Sequence, residues 1–195
     1  MEENTITNCH VDDVLYQINQ AEYGAHYIII YPDLDTLREL YSNYTYKQIE
    51  ENSEIVLINP FYETTDSVRH VLSQYNHDMD ISEYEKDESL MIADALEEYL
   101  SDQPLKYVKK GLANYTKKGK KGLSVLADLG AYSHKSRYKD LVDYESSLPK
   151  SDDSIALKGF CLYHEKDFDK FSDEQKQKLV NHHGKALKIA EAKSI

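Results

Sequence analysis

A unit of three parts recurs along this chain: a short apolar run, a polar turn and an amphipathic stretch. Tyr27-Ile28-Ile29-Ile30-Tyr31 opens the series. Ile55-Val56-Leu57-Ile58, Leu90-Met91-Ile92-Ala93, Leu123-Ser124-Val125-Leu126-Ala127 and the segment from Ile155 to Tyr163 continue it. Runs this short and this apolar predict strands buried on both faces, with the helical patterns between them as crossovers of a largely parallel sheet. The expected fold class is α/β, a single-domain mostly parallel β-sheet flanked by helices. Open sheets of this kind bind ligands beyond the carboxyl ends of their strands, which says where a site should be sought.

The stretches between the runs carry helix signals. Leu37, Leu40, Tyr41 and Tyr44 fall at i, i+3, i+4 and i+7 after Pro32-Asp33-Leu34-Asp35, and Val68, Val71, Leu72 and Tyr75 repeat that spacing. Thr64, Thr65 and Asp66 are candidate N-caps for the second stripe. Asn76 to Glu88 is polar and acidic, a loop or a short extra helix. Ser101-Asp102-Gln103-Pro104 predicts the start of a helix carried by Leu105, Val108, Leu112 and Tyr115. Tyr138, Leu141, Val142 and Leu148 form a further stripe that Pro149 stops. Ser172 and Gln175 make a capping box for the last helix, with Gly184 as its C′ residue. Ala186 to Ala190 is a candidate edge strand. Ahead of all this lie a polar tail and a short helix over about Val11 to Gln20, broken by Gly24. No segment has linker composition. One domain over residues 24–190, preceded by an N-terminal tail and short helix over residues 1–23, is the expected organisation.

A chain of 195 residues suffices for one sizeable core. A net charge of -12 argues against a nucleic-acid or anionic-membrane surface, which needs clustered Lys and Arg. The local exception, Lys106, Lys109, Lys110, Lys117, Lys118, Lys120 and Lys121, reads as a solvated helix face offsetting acidic neighbours. Cys9 and Cys161 make no disulfide framework. With neither a leader pattern nor an apolar run of membrane-spanning length, a reducing cytoplasmic location is expected.

Catalytic templates do not fit. The turn after the first strand, Tyr31-Pro32-Asp33-Leu34-Asp35-Thr36, has no Gly to bring amides near a phosphate and no Lys to neutralise one. Its two carboxylates would repel a triphosphate. There is no Gly-x-Ser-x-Gly elbow, and Cys161, inside an apolar run, reads as an inert core thiol. His182-His183 and His164-Glu165 raise a metal site, with Asp94 or Asp128 as a further ligand. Zinc needs three or four convergent ligands, adjacent histidines diverge on a helix, and no i, i+4 His pair is present. His77-Asp78-Met79-Asp80 lacks the Gly and terminal Glu of a calcium loop. No metal and no cofactor are expected.

Several segments, in order and spacing, resemble the MEDS domain family, the methanogen/methylotroph DcmR sensory domain. They are Gly24-Ala25-His26-Tyr27-Ile28 with Tyr31 and an acidic helix start, and Leu90-Met91-Ile92-Ala93-Asp94-Ala95. Lys121 to Leu129, Leu141-Val142-Asp143-Tyr144-Glu145, and Phe160-Cys161-Leu162-Tyr163 with Phe168, Phe171 and a capped helix ending near His183 complete the likeness. It spans roughly residues 24 to 190. The resemblance implies a RecA/KaiC-like three-layer sandwich without a Walker A loop, and a sensory rather than catalytic role. It also implies recognition of small organic molecules, such as methylated or halogenated one-carbon compounds, and frequent fusion to a DNA-binding or signalling module. The chain departs from the family pattern at Asp128, where Glu is frequent, at His164, where Asp is common, and at Tyr23, where Trp is common.

The strand-end positions Tyr31, Asp33, Asn59, Asp94, Asp128, Tyr132 and His164 are the candidate ligand-binding residues, each weighed against a plain capping or turn role. His26 reads as a buried histidine bonded to backbone. The leading functional expectation is a non-catalytic sensory domain. A small organic ligand at that rim would order the loops after Ile58 and Asp128 and shift a contact with a second copy, or with a signalling or DNA-binding partner. A protein–protein assembly scaffold on a degenerate RecA-like fold is the alternative. A residual hydrolase using Asp128 and His164 as an acid–base pair is a third.

Overall fold

The computed structural model describes residues 4–75, 79–148 and 154–190. Pro149, expected to stop a helix, and the His77-Asp78 half of the polar loop lie outside the described residues. The strands are β1 (Ile6–Cys9), β2 (His26–Tyr31), β3 (Ile55–Asn59), β4 (Leu90–Ile92), β5 (Leu123–Asp128), β6 (Leu157–His164) and β7 (Lys185–Ile189). They form one sheet in the order β1-β7-β2-β6-β5-β3-β4, and every pairing is parallel. The fold is thus the α/β sheet with helical crossovers that the apolar runs predict. No helix among the described residues is long and apolar enough to cross a membrane.

Helices cover both faces. On one lie α1 (Val11–Asn19), α2 (Leu34–Tyr46), α3 (Thr65–Tyr75) and α4 (Ile81–Lys86). Their stripes, among them Val14, Ile18, Leu40, Tyr44, Val68 and Leu72, pack on Ile29, Val56, Leu126, Phe160 and Leu187 of the sheet. The other face carries α5 (Ala95–Leu100), α6 (Lys106–Asn114), α7 (Gly130–His134), α8 (Tyr138–Ser147), α9 (Glu165–Phe168) and α10 (Asp173–His182). Tyr99, Leu141, Val142, Phe168 and Leu179 there meet Ile28, Ile30, Leu57, Val125, Cys161 and Tyr163. The two-residue alternation of each strand sorts its side chains between these two cores.

Four local expectations need correction. The polar tail contains β1, an edge strand whose exposed residues leave little apolar signal and which is held by its parallel ladder to β7. β7 therefore lies inside the sheet, between β1 and β2, and not at its edge. Ser101 to Pro104 does not start a helix. Asp94 caps the short α5 instead, and α6 begins at Lys106 after Leu105 takes a left-handed φ of 60°. Gly184 is not a left-handed C′ residue: α10 ends on an extended His183, and the Gly184 N–H donates to His26 O at 2.8 Å. The lysine-rich face behaves as expected, with Lys110 and Lys118 pairing with Glu88 at 2.6 and 2.9 Å.

Lys158 and Glu54 form a buried ion pair on the α2 face. Lys158 of β6 donates to Glu54 Oε1 at 2.6 Å, both side chains being nearly inaccessible. Ser124 Oγ donates to Glu54 Oε2 at 2.5 Å, and Tyr44 OH lies 2.9 Å from Ser124 Oγ. The π-helical turn that follows α2, Lys47–Glu51, brings Gln48 Oε1 to 3.4 Å from Lys158 Nζ. Lys158→Met should cost about 3–5 kcal/mol in urea unfolding, because it strands the Glu54 carboxylate in the core. The Lys158→Met/Glu54→Gln pair should lose clearly less, since no lone charge remains.

Candidate functional site

The strand ends converge as a filled rim. The Tyr31 hydroxyl donates to Asp128 Oδ2 at 2.9 Å, and Asp128 Oδ1 accepts from the Gly130 N–H at 2.9 Å. Position 130 has no room for a side chain: an added Cβ would stand 2.6 Å from the Phe61 ring. The His164 ring lies edge-on to Tyr31, centroids 5.3 Å apart, and 5.4 Å from the Tyr62 ring. Asp167 of α9 accepts from Ser133 Oγ at 2.7 Å, from Lys170 Nζ at 2.8 Å and from the Tyr62 hydroxyl. The two carboxyls are driven apart. Burial raises Asp128 to about 7, against its bonds from Gly130 and Tyr31. For Asp167, burial is outweighed by Lys170 and the two hydroxyls, which hold it below its ordinary value.

The other strand-end candidates hold structure. Asp33 accepts from the Thr36 N–H and caps α2; Asp94 accepts from the Leu96 and Glu97 N–H groups and caps α5. Asn59 donates to Ala93 O and accepts from the Tyr99 hydroxyl. Tyr132 stacks on Tyr144 on the opposite face, 6.0 Å away. His164 accepts through Nδ1 from the Lys166 N–H, which caps α9. Among the described residues no hydrogen bond joins His164 to Asp128. Of the seven candidates, Tyr31, Asp128 and His164 share one cluster. The cavity beside it, lined by Asn59, Tyr62, Asp128 and Leu162 among others, measures about 10 Å³. That is the room of a single water.

A larger space lies on the other face. A cavity of about 150 Å³ runs between β2, β5 and β6 on one side and α5, α6 and α8 on the other. Its walls are Val125, Ala127, Leu129, Val108, Tyr99 and Tyr144, with Leu105, Leu148 and the 37% exposed Ile155 also on its lining. Gly159 makes part of this space by having no side chain: its nearest neighbour for an added Cβ is His26, at 3.5 Å.

The polar part of that lining is a compact cluster. The β2–β6 register sets His26 opposite Gly159 and Ile28 opposite Cys161, so His26 and Cys161 face the same helices. His26 Nε2 lies 3.2 Å from Cys161 Sγ and 3.3 Å from Glu145 Oε2. Cys161 Sγ is 3.5 Å from Glu145 Oε2, and His183 Nε2, from behind, is 3.0 Å from that same oxygen. His183 Nδ1 lies 2.7 Å from Leu179 O. A carbonyl only accepts, so that nitrogen carries the hydrogen and Nε2 of the neutral ring presents a lone pair to Glu145. Burial pulls His183 below its ordinary 6.5, with Glu145 opposing. Burial would raise Glu145, while hydrogen bonds and positive charge from His183 and His26, available only when a ring carries a proton toward the carboxylate, act to hold it down at about 2. Burial, with Glu145 adding to it, pushes the Cys161 thiol well up. Glu145 Oε1, His26 Nδ1 and the Tyr163 hydroxyl have no hydrogen-bond partner among the described residues.

An all-parallel α/β sheet covered by helices on both faces, with a filled rim and an apolar chamber over one face, defines the class of domain. The chain belongs to the MEDS family: the description "MEthanogen/methylotroph, DcmR Sensory domain" matches residues 25–184. That family is a sensory one. Comparison with curated proteins gives no match.

His26 is expected from the sequence to bond to backbone, whereas its Nε2 faces Cys161 and Glu145. The adjacent histidines diverge as expected: His182 Nε2 meets Leu148 O at 2.6 Å, while His183 Nε2 faces Glu145. Glu145 carried a legible signal, since it sits within the apolar stripe of Leu141, Val142 and Leu148.

Asp128 gives a pH test. Its folded-state value of about 7 lies above the ordinary 3.8, so between those limits the folded protein keeps a proton that the unfolded chain has released. Stability from this group is present below about pH 4 and is lost as pH rises toward 7. Asp128→Asn should remove that decline and raise stability at pH 8 by about 2–4 kcal/mol. Urea midpoints measured from pH 4 to 8 check it.

Proposed function

We propose that this chain is a non-catalytic sensory domain whose ligand enters the chamber between the sheet and α5, α6 and α8. The supporting observation is the chamber itself: about 150 Å³, largely apolar walls, and the His26, Glu145 and Cys161 cluster on its lining. A space of this size suits a compact organic molecule of roughly benzene's bulk. The wall composition selects an apolar body, and the cluster selects one polar group at its end. The rim is too filled to accept such a molecule, so the strand-end residues serve the fold in this reading.

α5 and α6 are joined through Glu98, which is fully buried and accepts from the Tyr107 and Val108 N–H groups at 3.0 Å each. A ligand against Val108 and Leu105 bears on that joint, which gives a route from occupancy to the exposed face of α6. Output then passes through a second copy of the chain or a signalling partner that reads this face.

A thermal-shift series of small alcohols, amines, thiols, halocarbons and benzene tests the reading. Ligands of the right class should raise Tm by several degrees at saturating concentration. Gly159→Val, which fills the chamber beside His26, should abolish the rise while Asp128→Asn keeps it. The opposite pattern would return the ligand to the rim.

A further inference from the structure

The polar end of the chamber has the form of a coordination site. The four groups His26, Glu145, Cys161 and His183 each offer one ligand atom, all lie within 4.8 Å of one another, and all four residues are buried. A tetrahedral ion with bonds of about 2.0–2.3 Å has ligand–ligand edges of about 3.3–3.6 Å. Four edges here measure 3.0, 3.2, 3.3 and 3.5 Å. These four of the six edges lie at or just below the tetrahedral spacing, and the other two, from His183 to His26 and to Cys161, are within 4.8 Å.

Three further features point the same way. His183 Nδ1–H is committed to Leu179 O at 2.7 Å, an outer-shell bond that fixes the ring with its Nε2 lone pair inward. That Nε2 is wholly buried and has no hydrogen-bond partner, although a carboxylate oxygen stands 3.0 Å away. Two acceptors facing each other repel, and only a proton or a cation between them turns the contact attractive. Finally, the charges close. A divalent ion with one carboxylate, one thiolate and two neutral imidazoles is neutral overall, the state that a buried site requires.

We propose that His26, Glu145, Cys161 and His183 bind one transition-metal ion, with Zn²⁺ the best match to two imidazoles, a thiolate and a carboxylate. Binding forms a metal–sulfur bond as the Cys161 S–H bond breaks, and that proton leaves to solvent. Three of the ligands line the chamber while His183 closes the site from behind, between α10 and β7. The ion would tie β2, β6, α8 and the end of α10 together. It does not depend on the chamber holding an organic ligand.

Metal analysis of the untagged protein, purified without chelator, should find one zinc per chain. Metal-free protein titrated with Co²⁺ should develop tetrahedral d–d bands and a thiolate-to-cobalt charge-transfer band. Cys161→Ser should lose the charge-transfer band, and His183→Ala should weaken binding by about 10–100-fold or more. His182→Ala, whose ring contacts Leu148 O, should bind as the unaltered protein does. The Co²⁺ titration of the unaltered chain decides the matter even where a variant fails to fold. A spectrum of the hydrated ion with no bound metal, or a charge-transfer band that survives Cys161→Ser, overturns the proposal.

Discussion

A parallel sheet covered on both faces has no wet side, so any charge carried by an inward-facing side chain must meet its complement inside the protein. Two of the buried carboxylates, Glu54 and Glu145, lie one on each face of β6. Glu54 is answered by Lys158 and Ser124 beneath α2. Glu145 is answered by His26, Cys161 and His183 beneath α8. The first arrangement is a closed ion pair with its hydrogen bonds made. The second leaves acceptors facing one another and abuts open space. Their difference separates a structural element from a candidate functional one.

In the proposed reading, the rim and the chamber divide the roles that one cleft usually combines in open α/β sheets. At the rim, Tyr31, Phe61 and Tyr62 occupy the place where a ligand would lie, and Asp128 is buried against them. The space has moved to the sheet face, where Gly159 withholds a side chain and Ala127 offers a small one. This MEDS-family domain thus presents an apolar chamber with a polar cluster on its lining, over a sheet whose β2–α2 turn carries Asp33 and Asp35.

Much of the fold was legible because β2, β3, β5 and β6 are buried on both faces and so appear as unbroken apolar runs. β1 escaped because Ile6-Thr7-Asn8-Cys9 lies at an exposed edge, where backbone pairing rather than burial holds it. α5 escaped because six residues give too little periodicity to register. The rim candidates were legible as strand ends, yet capping and ligand binding use the same Asp and Asn residues, and Asp33 and Asp94 prove to cap. The cluster was the least legible. His26 and Cys161 are 135 residues apart, and only the insertion of β6 beside β2 brings them together. Glu145, a carboxylate on an apolar stripe, carried a signal that could have marked it.

The central claim is that the chamber over β5 and β6 is the ligand's place. Methyl-resolved NMR during titration with a small apolar probe such as benzene tests it most directly. The account predicts shifts at Val108, Val125, Ala127, Leu129 and Ile155, with Leu37, Ile58, Leu126 and Leu162 beside the rim unmoved. Shifts confined to the rim set would contradict it.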